Sequence, residues 1–413
     1  MNTHSTLFTT SVGDSAKCPS LQTRKPITKK TTSTLRTALL IAAGCVAACA
    51  KPVIVDQPDG ADSNADAGAD LSNSTGLSVF GSRVPDTFEL NSQYTPIATQ
   101  RQWKRDPHFV SAGGSNYLFM SGSIANPNLE RWSLSVYTDT GLPTKDSPWS
   151  LMFEGATSTS WDKTDVMAPF ASFRAVDGWT VYYAANGDPS KPNWVYQIGR
   201  ATGTDLTKLT RAQQPIIGVP NYTAGQPDIV RPDAWGATDP SVFVDGNDVY
   251  LYYAGLNCEG GTCKFQILRS KSPDGGTSFP PGDVVLSGRA GNPEEAGGVA
   301  GPSVIKFGTQ YLLAYTALKD IPTKDPVSIR NALSKASVGL MVSSDGKTWQ
   351  TGTKTGGVLV PRLPGFSSNR SEGVSSPSLY VDGNTVRGYV SGRKDDANAN
   401  LYHIGSLYLI ENP

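Results

Sequence analysis

The chain has 413 residues, 36 of them basic and 36 acidic, so its formal net charge is zero. No basic stripe breaks that balance, which argues against nucleic acid as a partner. Glycine (42) and proline (29) are frequent, as in turn-rich all-β proteins, and no long run of period 3.6 follows the first 50 residues.

Arg24, Lys25, Lys29, Lys30 and Arg36 precede an apolar run from Ala38 to Ala48, too short to span a bilayer. The run ends in Val46-Ala47-Ala48-Cys49, which resembles a bacterial lipobox. The resemblance implies lipidation of Cys49 as the mature N-terminus. An ordinary signal peptide cut near Ala48 or Ala50 is the alternative, and Cys45 also sits among small residues. Residues 1–49 are therefore read as a leader. The expected location is the bacterial cell envelope, lipid-anchored and most simply at the outer membrane, or else secreted. Membrane contact is expected through the lipid alone.

Residues 50–76 alternate Asp56, Asp59, Asp62, Asp66 and Asp70 with Gly, Ala, Ser and Asn. Such a segment cannot bury enough apolar surface to fold and reads as a disordered acidic tether.

Residues 77–413 read as one domain, because a pattern recurs five times. Each repeat has a proline, an apolar strand, a Gly/Asp/Asn turn and a second, mostly Tyr-rich strand. The prolines are Pro107, Pro169, Pro240, Pro302 and Pro377. Turns such as Asp245-Gly246-Asn247 and Asp382-Gly383-Asn384 carry tight-hairpin chemistry. The expected fold is all-β: a five-bladed β-propeller, monomeric, its ring closed by an N-terminal strand around Leu77–Leu90. The turns at Asp274 and Asp345 resemble the Asp-boxes of sialidases and are read as structural. Cys258 and Cys263 enclose Glu-Gly-Gly-Thr and are expected to form a disulfide in an oxidising compartment.

In a propeller, the starts of the first strands converge on one mouth of the central channel. The residues just ahead of the five prolines, Asp106, Ala168, Asp239, Gly301 and Ser376, are therefore the expected mouth residues. Two carboxylates in a polar funnel suit acid–base work or metal binding, although each Asp could equally cap its own turn. Trp103, Trp161 and Trp235 precede the first three prolines and are expected as substrate-binding faces for sugar rings. Packing between blades is the alternative for each.

Lys104-Arg105-Asp106-Pro107 with Tyr117-Leu-Phe, and Thr238-Asp239-Pro240-Ser-Val-Phe-Val-Asp-Gly with Tyr250-Leu-Tyr-Tyr-Ala-Gly, resemble blades one and three of the five-bladed glycoside hydrolases. Family 43, the arabinanases, β-xylosidases and arabinofuranosidases, is most similar, and family 32 shares the architecture. The resemblance covers roughly residues 84–413. It implies that Asp106 is the general base of an inverting hydrolysis and that Asp239 modulates the pKa of a blade-four glutamate acid. The family's position for that acid holds Ala300 here. Glu294 and Glu295 just upstream, and Glu372 from blade five, are the candidates to replace it. The competing reading is a carbohydrate-binding propeller lipoprotein that has lost the acid. The family often holds a channel cation through a blade-five histidine. Ser375 and Ser376 stand at that position, so neither a metal nor another cofactor is expected, and a structural calcium has no support.

Overall fold

The computed structural model describes residues 104–123, 132–141, 148–156, 160–188, 190–192, 195–324, 328, 332, 335–351, 358–360, 373–383, 385–396 and 399–409. Blade one comprises β1 (Lys104–Ala112), β2 (Ser115–Ser123), β3 (Trp132–Asp139) and β4 (Trp149–Phe153). Blade two follows with β5 (Val166–Arg174), β6 (Gly178–Ala185), β7 (Gln197–Gly203) and β8 (Thr210–Arg211). A short hairpin, β9 (Tyr222–Thr223) with β10 (Gln226–Pro227), leads to blade three. That blade holds β11 (Gly236–Asp245), β12 (Asp248–Glu259), β13 (Thr262–Lys271) and β14 (Asp283–Ser287). Blade four holds β15 (Gly298–Phe307), β16 (Gln310–Leu318), β17 (Ser337–Ser343), β18 (Gln350–Thr351) and β19 (Val358–Val360). Blade five holds β20 (Val374–Asp382), β21 (Thr385–Asp396) and β22 (Ala399–Leu409).

Within each blade the strands pair antiparallel in chain order, except that in blade four β18 and β19 both pair with β17. Blades three and four are also joined by one parallel pair, Phe265 with Gly298. The first strands make a closed ring: β1 packs against β5 and β20, β11 against β5 and β15, and β15 against β20. This is a five-bladed β-propeller. The segment expected to close it, Leu77–Leu90, lies outside the described residues.

The cores lie between the blades. Phe119, Leu134 and Met152 of blade one meet Val166, Trp179 and Tyr183 of blade two. Corresponding clusters join blades two and three, three and four, four and five, and five and one. A middle strand packed on both faces needs no polar alternation, and β16 accordingly reads Gln-Tyr-Leu-Leu-Ala-Tyr-Thr-Ala-Leu, buried almost throughout.

Hydroxyls latch the inner seams. The amides of Phe109, Leu379 and Val304 donate to Ser378, Ser303 and Ser241, each of which follows its blade's proline and belongs to the adjacent blade. Blade one carries His108 at that position, and its Nε2–H donates to the Ala171 carbonyl at 2.9 Å. Phe170 of blade two has no such group. Farther out, the Asp274 and Asp345 carboxylates accept turn amides. The carbonyls of those turns, at Gly276 and Gly346, accept from Tyr182 and Tyr252 of the preceding blades, so the Asp-box turns are structural. Cys258 and Cys263 are bonded across the β12–β13 hairpin.

Candidate active site at the channel mouth

Each first strand leaves its ladder at the proline. The register shifts between Arg105 and His108, Met167 and Phe170, Thr238 and Ser241, Ala300 and Ser303, and Ser375 and Ser378. Proline has no N–H to pair, so the bulge loses little there. The residue ahead of it is left-handed in all five blades, with φ of 54° at Asp106, 49° at Ala168, 52° at Asp239, 52° at Gly301 and 51° at Ser376. These five residues and their prolines line one cavity on the axis, together with His108, Phe170, Ser241, Ser303 and Ser378.

Asp106 is the most heavily bonded of them. It is 8 % exposed. Its Oδ2 accepts from Ser121 at 2.7 Å, and its Oδ1 accepts from Ser376 at 2.8 Å. The Arg105 guanidinium lies 3.1 Å from Oδ2. Both oxygens act as acceptors, which is the bonding of a carboxylate. Its own amide donates to Ser391 at 2.8 Å, so the side chain and the backbone are held independently.

Asp239 faces the same cavity with different chemistry. Its carboxyl accepts from the Gly301 amide and, at 3.3 Å, from Thr238. Burial, and then the charge of Asp106, push its pKa up to about 7 against the opposing pull of Arg105 and the Gly301 amide. The group is surrounded by protein yet keeps some access to solvent through the channel. The Gly301 contact also has a structural side. In three blades the amide ahead of the proline donates to a hydroxyl of the preceding blade's second strand, Ser121, Thr316 or Ser391. Blade three has Ala254 at that place, and the Asp239 carboxyl serves instead.

Beside Asp106, at the seam of blades one and two, is a polar collar that the sequence reading missed. Arg105 lies over the Trp132 ring at 4.4 Å and reaches the Met167 sulfur at 3.0 Å. The Trp132 amide donates to Asp165 Oδ1 at 3.0 Å, and the Tyr196 hydroxyl donates to Oδ2 at 3.4 Å. Asn186 Oδ1 accepts from the Asp165 amide at 2.9 Å. Burial raises the Asp165 pKa against these donors and Arg105. A signal was present: four residues before its proline, blade two has Asp165 where blades three, four and five have Gly236, Gly298 and Gly373.

Glu294 and Glu295, two of the glutamates expected as acids, have other partners. Glu295 is 2 % exposed, with Arg289 Nε 2.9 Å away and the Tyr315 hydroxyl donating at 2.6 Å. Burial pushes its pKa up, but the bonds from Arg289 and Tyr315 outweigh that and the net direction is down. An acid held ionised has no proton to give. Asp162 with Tyr183 and Arg211, and Asp233 with Tyr253 and Arg231, repeat the arrangement in blades two and three. All three carboxylates lie seven residues before their prolines, so this is a blade-building device. Glu294 pairs with Lys319 at 3.3 Å on the surface. Glu372, Trp103 and Cys49 lie outside the described residues.

Trp161 and Trp235 are 6 % and 4 % exposed. Trp161 stacks on Tyr183 inside a seam core, and Trp235 packs edge-on to Tyr222 beneath Lys324. Both pack as structural rings rather than open sugar platforms. His108 lines the channel, but burial lowers its pKa to about 4, so it is neutral near neutral pH. For a channel cation the donor set fits poorly: Arg105 neutralises Asp106, and His108 Nε2 is engaged by a carbonyl. No group of three or more metal-ligating side chains occurs among the described residues.

No protein-family model matches the chain, and no curated protein matches it. Solved structures do. A thermostable family-43 glycoside hydrolase aligns with a TM-score of 0.51 at 17 % identity over 74 % of this chain and 89 % of its own. An α-L-arabinofuranosidase from Lactobacillus brevis gives 0.52 at 14 % identity, covering 74 % and 90 %. An endo-1,4-β-xylanase from Bacteroides thetaiotaomicron gives 0.50 at 15 %, covering 74 % and 90 %. At these identities the likeness shows the fold, that of the propeller glycoside hydrolases.

Proposed function

We propose that the protein is an extracytoplasmic glycoside hydrolase that cleaves oligosaccharides or polysaccharides with inversion at the mouth of its channel. One observation carries the reading. Two carboxyl groups share the mouth in different surroundings: Asp106 accepts hydrogen bonds at both oxygens beside Arg105, while burial and the charge of Asp106 push the Asp239 pKa up to about 7. Carboxyls gathered in one polar funnel suit acid–base chemistry on a glycosidic bond. Asp106 is then the base that takes a proton from the attacking water. The Asp239 proton keeps a second negative charge from building up beside it.

The fold neighbours act on arabinose- and xylose-containing glycans by name, so arabinan, xylan and the matching aryl glycosides are the first substrates to try. A second reading, sugar binding without catalysis, is favoured by Ala300 at the expected acid position and by the Glu295–Arg289 pair. Purified protein incubated with these glycans, followed by reducing-sugar assay and by NMR of the first-formed anomer, tests the proposal. Release of product of inverted configuration supports it. Saturable binding without product sustains the second reading and overturns the first.

A further inference from the structure

We propose that Asp165, on the seam between blades one and two, is the proton-donating carboxyl of this site, taking the role that blade four no longer fills. The inference rests on the hydrolase reading.

Several buried or nearby carboxyls already have a structural duty. Asp162, Asp188, Asp233, Glu294 and Glu295 are each paired with an arginine or lysine. Asp165 has hydrogen-bond partners that are all neutral: the Trp132 amide, the Tyr196 hydroxyl and the Asn186 amide group. Those on Oδ2 are long, 3.4 and 3.5 Å, so that oxygen has capacity for a closer partner. The side chain is half-buried and reaches solvent.

β1, β3, β5 and β7 begin, and β2 and β6 end, on one side of blades one and two. Arg105, Trp132, Asp165, Asn186 and Tyr196 sit at or within a residue or two of those ends. The Ser121 hydroxyl contacts the Asp106 carboxylate and the Ala168 amide, both at 2.7 Å. Asp165 lies three residues upstream of Ala168, at most about 10 Å of extended chain. Trp132 and Tyr196 pack half-buried against Met167, Ala168 and Ala184 beside the carboxyl.

The groups facing Asp165 are Arg105 from β1, the Tyr196 phenol ahead of β7, and the neutral Trp132 amide and Asn186. Burial is the largest influence and the net direction is upward, as a general acid requires.

In the reaction, the Asp165 O–H gives its proton to the glycosidic oxygen as the bond from that oxygen to the anomeric carbon breaks. A water oxygen bonds to the anomeric carbon from the opposite face, and its proton passes to the Asp106 carboxylate. The products are a sugar hemiacetal of inverted configuration and a free alcohol. Proton exchange with solvent then resets both aspartates.

Leaving-group dependence tests this, because a good leaving group needs no acid. The full chain, Asp165→Asn and Asp106→Asn are compared on 2,4-dinitrophenyl glycosides and on unactivated oligosaccharides of the same sugar. Asp165→Asn should lose about 10²–10⁴-fold in kcat/KM on the oligosaccharide, stay within roughly tenfold of wild type on the dinitrophenyl glycoside, and lose the alkaline limb of its pH profile. Asp106→Asn should fail on both. Equal losses on both substrates, or none, in a variant with wild-type circular dichroism overturn the assignment of Asp165 while leaving the hydrolase reading intact. A wild-type protein that cleaves neither substrate overturns the hydrolase reading itself. Should Asp165→Asn not fold, Asp165→Glu keeps a carboxyl displaced by one methylene. A loss confined to the unactivated substrate then supports the role, and a uniform loss contradicts it.

Discussion

Four of the five residues ahead of the channel prolines are not glycine, yet all hold φ near +50°. An L-residue there pays on the order of 1–2 kcal/mol, and aspartate pays least among the larger side chains because it can bond locally. Part of the reason for aspartate at 106 and 239 is therefore backbone geometry. The rest is in the partners, and it has a pH consequence. The folded state holds the Asp239 proton up to about pH 7, whereas an unfolded aspartate releases it near 3.8. Folding takes up a proton between those values, so this group's contribution is favourable at low pH and is lost as pH rises from about 4 through about 7. Asp239→Asn should remove that slope. In thermal melts from pH 4 to 8, the variant should gain on wild type as pH rises, by on the order of 2–4 kcal/mol. Parallel curves would show that Asp239 is ordinary. The Asp-Pro pairs were legible in the sequence because the repeat supplies its own alignment. Asp165 was not, because the position four residues before each proline, Trp103, Asp165, Gly236, Gly298 and Gly373, carries no shared side-chain chemistry.

Strands and seams explain where Glu294 and Glu295 lie: one on the surface with Lys319, the other bonded to Arg289 and Tyr315. Sequence distance put Glu294 and Glu295 close to Pro302 in a glycine-rich stretch, but distance along the chain does not tell whether a side chain turns inward to the channel or outward to a seam. The tyrosine of the second strand decides it. Tyr183, Tyr253 and Tyr315 each need a partner for a buried hydroxyl, and Asp162, Asp233 and Glu295 supply it. Glu295→Gln keeps the shape and leaves Arg289 without its counter-charge. It should lower stability by about 3 kcal/mol while kcat keeps its pH profile. A collapse of kcat with an unchanged melting temperature would return Glu295 to the active site. The same pattern carried Trp161 and Trp235 away from the mouth: each ring fills a seam, as large aromatics do when an interblade core is available.

At the scale of the whole molecule, the five-blade repeat was the most legible feature. Five equivalent proline–strand–turn units cannot bury their apolar faces singly, so each must pack on the next, and the five seam cores show that packing. Substrate is not legible at this scale, because the blades build a frame that many chemistries share. Export rests on the leader, and we propose that Cys49 anchors the protein in the envelope. Cys49→Ala should move it from the membrane to the soluble fraction with folding intact, and an unchanged membrane fraction would refute the anchor. Asp106 is the residue on which hydrolysis at this mouth depends. The decisive measurement is kcat and sugar affinity of wild type and Asp106→Asn on one glycan that the wild type cleaves. Loss of the base should cut kcat by about 10²–10⁴-fold with the dissociation constant nearly unchanged, whereas turnover that survives the substitution would contradict the assignment of this mouth as the catalytic site.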